Sequence, residues 1–260
     1  MSFDLAGAEA SILLPALAAG LLVTATHVPL GMQVLARGIV FIDLAIAQIA
    51  GCGVLLADQL GFEPAGAAVQ VAALSAALAG ALLLTWTEKA WPEVQEAVIG
   101  VTFVLGATGS VLLLASNVHG SEHLRDLLVG QILWVEPARL LWVAAAYGLI
   151  LILWFGARDR LGQIGFYALF AVAVTLSVQL VGLYLVFATL IVPPLATRRM
   201  TRRRLPAAWL LSVAGYATGL MLSTALDLPT GPVIVWVLVA LALVWHAATA
   251  RRIVMDAGQG

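Results

Sequence analysis

The sequence predicts an all-α, polytopic integral membrane protein, a bundle of about eight or nine transmembrane helices plus a short half-helix, in one domain over residues 1–260. Composition is the first indication, because 62% of the residues are hydrophobic, 10% are charged and the mean hydropathy is +1.04. The second is that the apolar residues form continuous runs of about 20, the length that a helix needs to cross a bilayer core. A transmembrane β-barrel would instead alternate over segments of about ten residues.

Nine apolar runs are predicted to cross the membrane. In chain order they are residues 11–34, 39–60, 63–86, 95–116, 138–156, 163–180, 182–197, 206–226 and 230–249. Residues 124–135, LRDLLVGQILWV, are too short to cross and are predicted to form the half-helix. The sixth and seventh runs meet at Val181 and Gly182, so one broken helix is an alternative. Gly215 and Gly219 form a GxxxG pattern, which indicates close helix packing.

The basic residues predict the orientation. If the N-terminus is outside, eleven of the 13 Lys and Arg residues lie in cytosolic loops, and Arg125 and Arg139 lie outside. Membrane proteins place such an excess in cytosolic loops, so an outer N-terminus and a cytosolic C-terminus are predicted. The outer face then has eight acidic and two basic residues, which would attract cations. The alternative is that the acidic excess on the outer face has no function and only reflects the placement of most basic residues in the inner loops.

Several classes of function are disfavoured. The net charge of −1 gives no indication of a nucleic-acid partner, and the single cysteine, Cys52, excludes a disulfide framework within the chain. The sequence has neither a nucleophile–base pair nor a His-Glu-x-x-His helix, which argues against a membrane enzyme. It has no Walker motif either, so it does not bind nucleotide in that way. No Lys or Arg precedes the first apolar run, which argues against a cleaved signal peptide.

Asp43 is an ionisable residue inside an apolar run, IVFIDLAIAQIAGCGVLLA at residues 39–57. A carboxylate at mid-membrane costs roughly 2.5–3.5 kcal/mol on insertion scales, so a functional site facing the bundle interior is expected. The alternative is an Asp that reaches the inner interface and pairs with Arg37. Gln48 is five residues on, about 140° around the helix, so both side chains can border one pore. An interhelical hydrogen bond is the alternative for Gln48.

His27 and Glu96 are predicted at a depth similar to that of Asp43, in the inner half of the membrane. An imidazole and two carboxylates suit a divalent transition metal, so His27, Asp43, Glu96 and Gln48 are candidate metal-binding residues. A structural hydrogen bond is the alternative for His27. On the outer side, His119, Glu122 and His123 form a candidate entry site, for which a solvated loop is the alternative.

Four stretches, in the same order along the chain, resemble the ABC-3 group of metal-transport permeases, the membrane subunits of zinc, manganese and iron ABC importers. They are PLGMQVLARGIVFIDLAIAQIAG (29–51), EAVIGVTFVLGATGSVLLLAS (96–116), HLRDLLVGQILWV (123–135) and VGLYLVFATLIVPPLATRR (181–199). The similarity is to the family's Gly-Asp before the second helix, its acidic-x-x-Ile-Gly helix, its Leu-x-Gly half-helix and its Pro-Ala-x-x-Ala-Arg stretch.

The resemblance implies a type II ABC importer-like fold and a permease that is not itself an enzyme. It implies a second copy of the chain, cytosolic ABC ATPases and an extracytoplasmic metal-binding protein as partners, in the inner membrane of the cell. Zinc, manganese or iron would be the transported ion, with no stably bound cofactor. Residues 193–206 would be a coupling helix in the ATPase groove, with Pro193, Pro194, Arg198, Arg199, Arg202, Arg203 and Arg204.

The sequence departs from the family at two places. The family usually has a His four residues after the second-helix Asp, where this chain has Ala47, so His27 would have to substitute for it. The family also has a longer polar segment before the sixth helix than ARDRLGQ, residues 157–163. The function expected is a permease of an ATP-driven divalent-metal importer. The alternative is an ion-coupled secondary carrier or channel for a cation, which would work without an ATPase.

Overall fold

The computed structural model describes residues 2–63, 66–114 and 132–257. Over these ranges every regular element is helical, which confirms the all-α prediction. The α-helices are α1 Ser2–Arg37, α2 Ile42–Gln59, α3 Ala67–Ala90, α4 Gln95–Leu114, α5 Pro137–Val181, α6 Leu183–Ala196, α7 Arg204–Leu226 and α8 Thr230–Ala257. Two short 3₁₀ helices, Pro92–Val94 and Ile132–Trp134, precede α4 and α5.

Seven described segments are long and apolar enough to cross a membrane. They are Ser11–Arg37, Ile42–Gln59, Ala67–Ala90, Pro137–Ala157, Arg160–Val181, Arg204–Leu226 and Thr230–Thr249. The other two predicted runs correspond to α4 and α6, and the 14 residues of α6 make it too short to cross alone, at about 21 Å. The predicted half-helix lies mostly outside the described residues, and its described end is the 3₁₀ helix Ile132–Trp134.

Helix α5 contains two predicted spans that turn back on each other. Gly162 has φ 57° and ψ −155°, a conformation that only glycine adopts readily. On either side of it, the Tyr147 hydroxyl donates to the Ala173 carbonyl at 3.1 Å, and the Trp154 and Phe166 rings lie 5.8 Å apart. The two halves therefore form a helical hairpin, in agreement with the two separate runs in the sequence.

Helix α6 is the most enclosed element. A single residue, Gly182 with φ 84°, separates it from α5, so the sixth and seventh runs are joined by a sharp break. Helix α6 packs against α1, α7 and α8, and nine of its 14 residues are buried. Close packing of α7 on α8 is also confirmed, since a Cβ on Gly215 or Gly219 would lie under 3 Å from side-chain atoms of Leu238 or Ile234.

We call the basic end of the bundle the end where α1, α3 and α6 finish and where α2, α4 and α7 begin. It contains Arg37, Lys89 and the arginines between α6 and α7. The direction of the helices thus places the first turns of α2 and α4 beside the arginine-rich connection. This arrangement positions the candidate site.

Candidate cation site and basic segment

Two carboxylates lie in the first turns of two neighbouring helices. Asp43 is the second residue of α2, Glu96 is the second residue of α4, and α2 packs against α4. The first backbone N–H groups of a helix have no partner within the helix, and its N-terminus has a partial positive charge. A carboxylate is therefore tolerated better at these positions than at the middle of either helix.

Asp43 is completely buried within a single protomer. Its exposed fraction is 0%, and Ile42, Ala45 and Ile46 around it on α2 are equally buried. Neither carboxylate oxygen makes a well-formed hydrogen bond to a described residue, although the backbone N–H groups of Asp43 and Leu44 lie close enough to interact with the carboxylate. Buried polar groups are normally paired, since leaving one unpaired costs on the order of 1–3 kcal/mol. An unpaired buried carboxylate is therefore the strongest indication of a ligand that the fold provides.

Glu96 is only partly buried, and it lies against the start of α2. Its carboxyl group interacts with the backbone of Phe41, the residue that precedes α2, and its buried Oε2 has no hydrogen-bond partner in the described part of the chain. Beside it, Phe41, Leu44, Val101 and Leu105 line an apolar groove of about 620 Å³ between α2 and α4. The two carboxylates thus lie at the same end of the α2–α4 pair, next to an open apolar surface.

Gln48 lies at the α2–α4 contact, one turn further from the basic end. A Cβ on Gly106 of α4 would lie 2.8 Å from the Cβ of Gln48, so the two helices touch at this point. Cys52 follows on the same face, and its thiol donates to the Gly106 carbonyl at 3.1 Å and lies 3.3 Å from the Ser110 hydroxyl. The structure places Gln48 in a helix contact with small residues, and its part in transport remains a prediction.

His27 is held in a hydrogen-bond network on a different side of the bundle. Its Nε2 lies 2.9 Å from the Ser177 hydroxyl of α5, and its Nδ1 lies 3.1 Å from the Val23 carbonyl and 3.0 Å from the Thr26 hydroxyl. The ring also lies 6.1 Å from that of Tyr147. Both ring nitrogens are therefore engaged, and a metal ion would have to displace one of these partners.

The predicted metal-binding residues do not form one cluster in this conformation. Within residues 2–63, 66–114 and 132–257, no group of three or more His, Cys, Asp or Glu side chains is arranged to hold a metal ion. Asp43 and Glu96 share one end of the α2–α4 pair, whereas His27 packs against α5. The suggested outer entry site, His119, Glu122 and His123, lies outside the described residues.

Arg37 does not pair with Asp43, which was the alternative to a functional carboxylate. Its guanidinium lies 3.8 Å from the Glu88 carboxylate of α3 and 4.5 Å from the centre of the Phe166 ring of α5. The Tyr167 hydroxyl donates to Glu88 as well. The sequence analysis did not predict this cluster, because its residues are distant in the chain. The nearest indication in the sequence was Glu88, an acidic residue that follows the run 63–86 at the end predicted to be cytosolic.

The basic segment, residues 197–203 between α6 and α7, is a compact turn. The sequence predicted a helix after the double proline, but α6 continues through Pro193 and Pro194 to Ala196 and then stops. The Thr197 hydroxyl donates to the Pro193 carbonyl at 3.0 Å, and Arg204 Nη2 donates to the Pro194 carbonyl at 3.2 Å. These bonds satisfy the last carbonyls of the helix and end it.

The arginines of this region have two kinds of environment. Four are exposed, Arg198, Arg199, Arg202 and Arg203, whereas Arg204 is partly buried beneath them. Arg203 has φ 57°, a left-handed conformation that is uncommon for a residue with a side chain. The segment therefore presents a fixed positive surface, which is complementary to an acidic partner or to anionic headgroups.

Comparison with known proteins gives a consistent result. The sequence matches the ABC 3 transport family over residues 9–166 and 156–249. It is 26% identical over 245 residues to the uncharacterized membrane protein slr2045 of Synechocystis sp., covering 85% of each chain. It is 28% identical over 163 residues to the chelated iron transport system membrane protein YfeD of Yersinia pestis, covering 54% of each chain. A solved structure, PsaBC from Streptococcus pneumoniae in complex with Fab, has a chain of similar fold, with a TM-score of 0.69 and 19% identity over 90% of this chain and 89% of that one.

Proposed function

The chain belongs to the ABC 3 transport family, and on that premise we propose that it is the permease subunit of an ATP-binding-cassette importer for a divalent metal ion. Zinc, manganese and iron are the candidate substrates. The similarity to a chelated iron transport protein supports a metal as substrate. The chain itself would supply the path through the membrane, and ATP hydrolysis would take place on a partner.

Asp43 is the observation that supports this function most directly. An apolar bundle does not need a fully buried carboxylate that no side chain of the described residues pairs with, and such residues in membrane proteins mark ion paths. Oxygen from Asp43, with Glu96 at the same end of α2 and α4, would form part of a transient site for the metal. A transient site suits transport, since an ion that is held by few ligands also leaves readily.

Three protein partners and an orientation belong to the proposal. A cytosolic ATPase would dock on the basic segment, and its acidic groups would face Arg198, Arg199, Arg202 and Arg203. A second copy of the chain would pack on the apolar face that α2 and α4 form, since the same face on both copies can meet about a two-fold axis, with side chains at the rim of one groove entering the groove of the other. An extracytoplasmic metal-binding protein would deliver the ion to the opposite end. The chain would lie in the inner membrane with its N-terminus outside and its basic end in the cytosol.

Uptake of labelled zinc, manganese and iron tests this function. Cells would express the chain with and without its partner ATPase, as wild type and as Asp43→Asn, with Asp58→Asn as the matched control near the other end of α2. We expect uptake of one metal that needs the ATPase and Asp43 but not Asp58. Asp43→Asn should insert as well as the wild type, because it removes a buried unpaired charge.

Each other outcome has a defined meaning. Uptake without the ATPase would favour a secondary carrier or channel over the ABC importer. Normal uptake by Asp43→Asn would remove this carboxylate from the path. No uptake of any of the three metals by an assembled complex would reject the substrate class.

A further inference from the structure

Metal can reach Asp43 only if the packing around the first turn of α2 opens, because the carboxylate is fully buried in the protomer. We propose that Phe187 of α6 is a positioning residue that transmits displacement of the basic segment to the first turn of α2 and so opens and closes access to Asp43. This role deepens the proposed function and rests on it. Helix α6 makes three contacts that bear on this role: with α2, with the basic segment and with α1.

The first contact is an aromatic stack between α6 and the start of α2. The rings of Phe187 and Phe41 are 6.1 Å apart and nearly parallel, at an angle of 4°. Phe41 directly precedes α2, two residues before Asp43, and its backbone also contacts Glu96. A shift of Phe187 therefore acts on the residue between the two carboxylates. Aromatic pairs of this kind stabilise a contact beyond the burial of their surface, so the stack can bias an equilibrium between two positions of the first turn of α2.

The second contact joins α6 to the basic segment. Thr197 and Arg204 bond the carbonyls of Pro193 and Pro194, so both ends of the connection that contains the exposed arginines are tied to the last turn of α6. A partner that pulls on these arginines pulls on the end of α6. At 14 residues, α6 is short enough to move as a rigid rod.

The third contact, between α6 and α1, provides a point about which α6 can rotate. A Cβ on Gly31 of α1 would lie 1.8 Å from the Leu190 carbonyl, so the two helices meet backbone to backbone. Leu190 lies between Phe187 and the basic segment. At its other end α6 adjoins Gly182, whose positive φ interrupts the helical chain and provides a hinge. Rotation about the Gly31 contact would move Phe187 and the basic segment in opposite directions.

Phe187 is the α6 side chain best placed for this role. Its neighbours Val186 and Ala188 are buried in the core, whereas Phe187 is partly exposed on the face toward α2. Loss of its ring should therefore disturb the link to α2 more than the packing of α6 itself.

The test uses the complete complex of chain, ATPase and metal-binding protein, and measures uptake and ATP hydrolysis together. We expect Phe187→Ala to lower metal uptake per ATP by about tenfold, the size of a typical coupling, while hydrolysis continues. Phe187→Tyr retains a stacking ring and should restore uptake. Phe155→Ala, which removes an exposed ring of α5, is the matched control and should leave the ratio unchanged. Combining Phe41→Ala with Phe187→Ala should be no worse than either alone, because both remove one contact.

A second readout reports access directly. With Cys52→Ser the chain has no other thiol, so Asp43→Cys can be labelled specifically by a cationic methanethiosulfonate reagent. We expect the labelling rate to differ between the nucleotide-free and the ATP-trapped complex, and Phe187→Ala to abolish that difference. If Phe187→Ala fails to assemble, Phe187→Leu removes the ring while it keeps most of the apolar volume.

Two kinds of failure are distinguishable. A wild-type complex that takes up no metal would overturn the proposed function. The positioning role alone would be overturned if the wild-type complex takes up metal normally and Phe187→Ala and Phe187→Leu do not change it. Unchanged uptake per ATP, or unchanged nucleotide-dependent labelling, in these two variants would be that result.

Discussion

Arg37 is paired with Glu88, at 3.8 Å between Nη1 and Oε1, and this ion pair joins the ends of α1 and α3 at the basic end. The guanidinium also lies over the Phe166 ring of α5, so one side chain connects three helices. The pairing leaves Asp43 without a cationic partner among residues 2–63, 66–114 and 132–257, although Arg37 is only six residues away in the chain.

The Arg37 cluster predicts a graded loss of stability. Glu88→Gln should cost about 1 kcal/mol or less, because both partners of the pair are partly exposed to solvent. Arg37→Ala should cost more, since it also removes the contact with Phe166, which is worth about 0.5–1 kcal/mol at such sites. Thermal unfolding of the purified chain in detergent measures both. Equal effects of the two substitutions would show that the ring contact contributes nothing.

Gly31 is predicted to accept no side chain. Gly31→Ala would place a methyl group against the Leu190 carbonyl and should cost about 1–3 kcal/mol or more, as overpacking does. Gly148→Ala is the matched control, because a Cβ there meets nothing within 4 Å and a helical alanine should be neutral or stabilising. The melting temperatures of the two variants compare them directly. A Gly31→Ala protein as stable as the control would mean that α1 and α6 separate at little cost.

The His27–Ser177 bond is predicted to be structural. Ser177→Ala should destabilise the bundle by about 1–3 kcal/mol, because it leaves a buried imidazole nitrogen unpaired. His27→Ala and the double variant should show strong coupling, which a double-mutant cycle of unfolding free energies measures. Uptake of metal per folded molecule should change little in Ser177→Ala. A loss of uptake without a loss of stability would instead support His27 as a ligand.

The basic segment is predicted to bind the ATPase mainly by charge. Substitution of Glu for Arg198, Arg199, Arg202 and Arg203 together should abolish co-purification of the ATPase, and single substitutions should lower the salt concentration at which the ATPase dissociates. Arg139→Glu, which changes a residue bonded to Gln179 near the other end of the bundle, is the control. Co-purification of the ATPase with the fourfold variant at wild-type levels would exclude this surface as the docking site.

Arg204 should behave differently from its exposed neighbours. Because it bonds the Pro194 carbonyl, Arg204→Ala should loosen the turn without changing the exposed charge. We expect it to lower the ratio of uptake to hydrolysis more than it lowers ATPase binding. A larger effect on ATPase binding than on the ratio of uptake to hydrolysis would instead place Arg204 in the docking surface.

The sequence by itself determined the class of fold, the spans and the position of the unusual carboxylate. Hydropathy is a local property, since each apolar run must match the thickness of the bilayer whatever its neighbours are. The apolar spans of α1, α2, α3, α7 and α8 agree with their predicted runs to within four residues, although α1 begins before its run and α8 continues beyond it. The positive φ at Gly182 lies where two runs met in the sequence.

The tertiary structure decided which groups meet. Arg37 contacts Glu88 and Phe166 rather than Asp43. His27 bonds Ser177, and Phe41 stacks on Phe187. Each of these contacts depends on how helices distant in the chain pack together. Hydropathy does not predict which helices contact each other, because an apolar residue that faces lipid and one that faces another helix have the same transfer free energy. For that reason the sequence showed where the buried carboxylate lies, whereas only the folded bundle showed that no side chain in the described part of the chain pairs with it.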